Sequence, residues 1–105
     1  MKKTTGMVTG TETTLNVEVG FKPDKVRIIN IATRTETVFN AADTVNVNGV
    51  AVAADGVKTK AASAAHGISA YDGALGSESE GFTIGASAVP NVNTNVILWE
   101  AETFD

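Results

Sequence analysis

Two segments decide the fold: Gly81-Phe82-Thr83-Ile84-Gly85 and, after a short connection, Val96-Ile97-Leu98-Trp99-Glu100-Ala101. The first is an apolar triplet bracketed by glycines. The second is the densest hydrophobic run in the chain and holds its single tryptophan. Both are too short for a globular helix and rich in β-branched and aromatic residues, so both read as strands. The rest of the chain supplies partners for them.

Upstream, Leu15, Val17 and Val19 alternate with Asn16 and Glu18, the period-two pattern of a half-buried strand. Gly20 to Asp24 interrupts it, with Pro23 suited to a turn. Lys25 to Ile31 is a second strand. Its Val26 and Ile28 share one face, and Ile29 and Ile31 share the other with Arg27, which predicts cover by protein on both sides. Thr33 to Phe39 continues in strand, through a turn near Ala32 that no strong turn residue marks. Thr44-Val45-Asn46-Val47, Asn48-Gly49 and Val50-Ala51-Val52-Ala53 read as a hairpin with a type I′ turn. Asp55-Gly56 offers a further turn, and Ile68 to Tyr71 a short strand.

Two stretches stay open. Residues 56–66 read either as a short helix, from the alanine cluster ahead of Gly67, or as a strand, from the alternation of Val57 to Ala61. Residues 1–10, rich in Thr and Gly, read either as an edge strand around Met7 and Val8 or as a loosely held arm. The expectation is a single all-β domain over residues 1–105, a small sandwich or barrel of about seven or eight short strands.

Composition narrows the function classes. The net charge is −4 and the eight basic residues are scattered, which disfavours phosphate binding and hence a nucleic-acid partner. No apolar stretch approaches the roughly 20 residues of a membrane helix. Lys2-Lys3 is followed by Thr and Gly rather than an apolar signal core, so a soluble product made in the cytoplasm is expected. There is no cysteine, and His66 is the lone histidine, so no zinc site of the usual kind and no activated nucleophile is indicated. Asp72, Glu78 and Glu80 gather in a Gly- and Ser-rich loop that lacks the rigidity of a catalytic carboxylate pair and the spacing of a calcium loop. Gly81 and Gly85 lack the Gly-Lys-Ser/Thr ending of a phosphate loop. Trp99 reads as a core or subunit-interface residue ahead of a sugar platform. No enzyme is expected, and no cofactor or metal. Tyr71 and Phe104 are the aromatic candidates for exposed contacts. The apolar content is largely Val and Ala, side chains that bury little area each, so self-association is one route to stability.

Two segments carry a resemblance. Gly20-Phe21-Lys22-Pro23-Asp24-Lys25-Val26-Arg27-Ile28-Ile29-Asn30 resembles a "GF-x-P-D-x-V-x-I-x-N" opening in small virion proteins of tailed bacteriophages. Gly81 to Gly85, with Val89, Asn91-Val92-Asn93 and Trp99-Glu100-Ala101, resembles their closing segment. The stretch from Ala41 to Glu80 lies outside the resemblance. What it implies is a structural protein of the virion, most directly a capsid decoration (cement) protein. Such a protein binds the major capsid protein on the outside of the head as a symmetric oligomer, with a homotrimer favoured. Lys2 and Lys3 would then meet acidic groups of the capsid. A tail or head-fibre component is the alternative within that class, and a carbohydrate-binding sandwich module the alternative outside it.

Overall fold

The alternating segments become nine strands in a computed structural model that describes residues 2–73 and 80–104. They are β1 (Lys2–Thr9), β2 (Leu15–Glu18), β3 (Lys25–Asn30), β4 (Thr35–Asn40), β5 (Val50–Val52), β6 (Lys58–Lys60), β7 (Ile68–Tyr71), β8 (Gly81–Ile84) and β9 (Val96–Thr103). A six-stranded sheet has the order β1-β9-β3-β4-β5-β6, and a three-stranded sheet the order β2-β8-β7. Every neighbouring pair is antiparallel. The fold is all-β, in two sheets.

The segments Gly81–Gly85 and Val96–Ala101 supply central strands. β9 lies between β1 and β3, and β8 lies between β2 and β7. A central strand is covered along both edges by hydrogen bonds, so its side chains can be the most apolar in the chain. One buried cluster draws on both sheets: Val26, Ile28, Phe39, Ile97 and Ala101 from the large one, Val17, Ile68, Phe82 and Ile84 from the small one. Phe82 is fully buried and meets Trp99 edge-on, with ring centroids 5.5 Å apart at 70°. Each such fully buried side chain contributes about 1.5–3 kcal/mol over its exposed state.

Several expectations are corrected. The N-terminal segment is not a loose arm. Lys2 to Thr9 pairs residue for residue with β9, from Lys2↔Thr103 to Thr9↔Val96. The weak patterning of that segment reflects an edge strand whose core-facing side carries the small Gly6. An alanine Cβ there would lie 2.6 Å from Cζ2 of Trp99, so the indole takes the space a side chain would need. With β1 the strand count exceeds the seven or eight expected.

The helix at residues 56–66 is absent. Lys58–Lys60 pairs with β5, and only a single 3-10 turn, Ala64–His66, precedes Gly67. Strand pairing through the Asp55-Gly56 turn, where Gly56 sits at φ +89°, prevails over the helical propensity of the alanines.

The hairpin around Asn48-Gly49 is also revised. Val50–Val52 is a strand, but it pairs with β4 and β6, and residues 44–47 form turns instead. Asp43 Oδ1 accepts the backbone N–H groups of Val45 and Asn46, each at 2.9 Å, and Asn46 Nδ2 donates to Asp43 Oδ2. Those local bonds outcompete a ladder. Gly49 keeps the positive φ, +94°, that the Asn-Gly pair announced.

The unmarked turn after β3 has its determinant in the strand itself. Asn30 is fully buried, its Oδ1 accepts the N–H groups of Ala32 and Thr33, and its Nδ2 donates to Pro90 O at 3.0 Å.

Candidate interaction surface

The strand registers bring most of the candidate contact residues to one end of the molecule. Lys2 begins β1, Thr103 ends β9 and Lys25 begins β3, set level by pairing in the large sheet, while Tyr71 ends β7 and Gly81 begins β8 level with each other in the small one. Lys2 Nζ lies 6.0 Å from the centre of the half-buried Phe21 ring, at the limit of a cation–π contact. Phe104 is 54% exposed. Its backbone N–H donates to Asp24 Oδ2 at 2.8 Å, and the Thr103 hydroxyl donates to the same oxygen at 2.9 Å. The Phe104 N–H first, and the Thr103 hydroxyl second, hold the Asp24 carboxyl below the ordinary carboxylate range. Tyr71 is half-buried opposite Gly81. Lys3 belongs to the same end but faces the other way, onto the outer side of the large sheet beside Glu102 and, one strand further, Lys25.

Acidic groups at this end are engaged with Lys22. Asp72 forms an ion pair with Lys22 Nζ, and a Glu80 oxygen lies 3.8 Å from it. The hydrogen bond to Asp72, then the charge of Asp72, raise the Lys22 pKa. The Glu80 carbonyl also accepts the N–H groups of Val19 and Gly20, fixing the exit of β2. Glu78, the third carboxylate of that loop, lies outside the described residues. His66 is exposed on the 3-10 turn, with Nδ1 3.1 Å from Ser63 Oγ, a contact within one turn of chain. Among the described residues, no three His, Asp or Glu side chains come together in a metal-holding group. Trp99 is half-buried between Phe82 and the backbone of Gly6, and its Nε1 is buried with no hydrogen-bond partner.

A broader surface appears where the sequence predicted cover. The outward-facing residues of the large sheet line up in rows across its strands. One row runs Met7, Leu98, Ile29 and Glu36, and the next runs Thr5, Glu100, Arg27 and Val38. Val96 and Ile31 extend the apolar part. Exposures of 70% for Met7, 60% for Ile31, 49% for Val96 and 38% for Leu98 leave it open to solvent. The charges beside it alternate in sign. Arg27 donates to Glu36 Oε2 at 2.9 Å and reaches Glu100 at 4.0 Å. Partly exposed pairs of this kind add little to stability, so they leave the face neutral rather than rigid.

The cover expected on both faces of β3 is found on one face only. Val26 and Ile28 face the core, while Ile29 and Ile31 face a surface that nothing in the described chain covers. An apolar, charge-balanced sheet face beside a free strand edge can bury itself against another protein. Comparison with known protein families, with characterised proteins and with solved structures finds no match.

Proposed function

We propose that this chain is a structural protein of a phage particle, a capsid decoration (cement) protein whose working surface is the outer face of the large sheet. In this reading the two sheets form a small β-sandwich and that face lies against the major capsid protein of the shell. The observation that carries it is the contiguous apolar strip of Met7, Leu98, Ile29, Val96 and Ile31. The resemblance of Gly20–Asn30 and Gly81–Ala101 to virion proteins supports it from the sequence side. Within the fold those motifs serve architecture: Asp24 ties down the end of β9, Asn30 builds the turn after β3, and Asn91 anchors a loop cluster.

A cement protein gains its affinity from several linked weak contacts on a repeating lattice. The test is to add the purified chain to mature heads that lack it. Co-sedimentation with the heads and a rise in the temperature at which the shell opens are expected. Met7→Lys together with Leu98→Lys places two charges in the strip without touching the core, and should abolish both effects. Binding to tails or fibres with none to heads would favour the appendage reading. Unchanged binding by the double lysine variant would overturn the assignment of the face.

A further inference from the structure

The two edges of the six-stranded sheet differ in a way that points to a partner. At one edge, β6 is three residues long and carries the exposed Lys58 and Lys60. A short strand bearing lysines is a poor template for another chain. The small sheet ends on β2 and β7, four residues each. At the other edge of the large sheet, β1 runs eight residues in unbroken register with β9, with no proline. Among the described residues no strand lies along its free side. From Thr4 to Thr9 it has no charged side chain. Such an edge presents a row of backbone N–H and C=O groups that an added extended strand would satisfy.

Charge then selects which strand is added, and in which direction. β1 begins with Lys2-Lys3, and just past its end the chain carries the exposed Glu12. Parallel self-pairing would stack the lysines of one copy on those of the other. Antiparallel self-pairing instead sets Lys3 and Lys2 opposite Thr9 and Gly10 of the second copy, the end beyond which Glu12 carries the opposite sign. We propose that β1 pairs antiparallel with β1 of a second copy of this chain, about a two-fold axis at Gly6.

Such an interface is isologous, each copy giving and receiving the same contacts. The axis sets Thr5 opposite Met7 of the second copy and Lys3 opposite Thr9, and keeps the two outer faces on one side. Gly6 meets Gly6 at the centre, where each copy already fills the core side with its own Trp99 indole. The apolar strips of the two copies then meet across one continuous sheet. This goes beyond the proposed function and departs from the three-fold assembly that the resemblance implies.

Mass by light scattering on the isolated chain, from micromolar concentration upward, should give two chains. One chain or three overturns the proposal. The absence of cysteine makes the register directly readable. Thr5 and Met7 are exposed, so Thr5→Cys and Met7→Cys leave the core intact. Oxidising an equal mixture should cross-link the Thr5→Cys chain to the Met7→Cys chain in preference to either with itself. Preferential self-cross-linking, or none, overturns the axis. Lys2→Glu with Lys3→Glu should weaken the dimer by about tenfold, and adding Glu12→Lys should restore it. A triple variant as weak as the double one overturns the antiparallel assignment. None of these measurements uses a particle, so their failure is distinct from failure to bind heads.

Discussion

Asn91 concentrates more of the fold's polar order than any residue the sequence singles out. It is 3% exposed. Its Oδ1 accepts the N–H groups of Thr11 and Glu12, and its Nδ2 donates to the carbonyls of Thr13 and Gly85. One amide thus fastens the β1–β2 connection to the loop after β8. Asn91→Ala leaves those backbone groups without partners in a buried place, and should lower unfolding stability by about 3 kcal/mol in urea titration. Asn91→Asp keeps the acceptor but turns a carboxylate toward two carbonyls. It should therefore be more destabilised at neutral pH than in mild acid, where the protonated side chain can donate again. Asn91 was named as part of the closing motif, but its buried bonding role was not legible in advance. The residues it serves lie up to 80 positions away in sequence, so nothing local marks it out from an ordinary loop asparagine.

Strands were legible where side chains alternate against a core, and illegible where side chains bond to backbone. β2, β3, β8 and β9 follow their apolar periodicity because burial sets both pattern and pairing. Residues 44–47 alternate equally well, yet Asp43 converts them to turns, a competition that periodicity does not register. The candidate surface was half legible, since Ile29 and Ile31 announced an apolar outer face but read as covered, whereas Ile31 is 60% exposed. Asp24 joins the loop before β3 to the end of β9, and its pKa direction gives the junction a pH signature. A carboxyl with a folded pKa below its unfolded value contributes stability that is fully present above the unfolded value of about 3.9. That stability is lost as pH falls through the folded value. Asp43 shifts the same way, through the Asn46 backbone N–H first. Acid unfolding followed by circular dichroism should therefore be less steep in Asp24→Asn than in the parent below about pH 4. An identical slope would show that the Phe104 and Thr103 bonds do not persist in solution.

For the molecule as a whole, the shared core predicts that both sheets fail together. Phe82 belongs to the small sheet but packs on Trp99 of the large one. Phe82→Ala should cost about 3–5 kcal/mol. Trp99 fluorescence and backbone circular dichroism should still lose their signals at one denaturant concentration, as a two-state domain requires. Separate midpoints would mean two independently melting sheets. The strand order also bears on how the chain is made. Among the described residues β1 has β9 as its only neighbour in its sheet, and β9 covers one side of β3 as well. Of the nine strands, β9 is the last to emerge from the ribosome. Until it does, the nascent chain holds β1 unmatched and β3 open along one side, and closing residues 2–9 onto 96–103 spans nearly the whole sequence. Completion of the large sheet therefore waits on β9 and is governed by a long loop closure, slow for a domain of this size. Neighbouring chains on one messenger would carry their first strands exposed at the same time, before either has its own β9 to pair with.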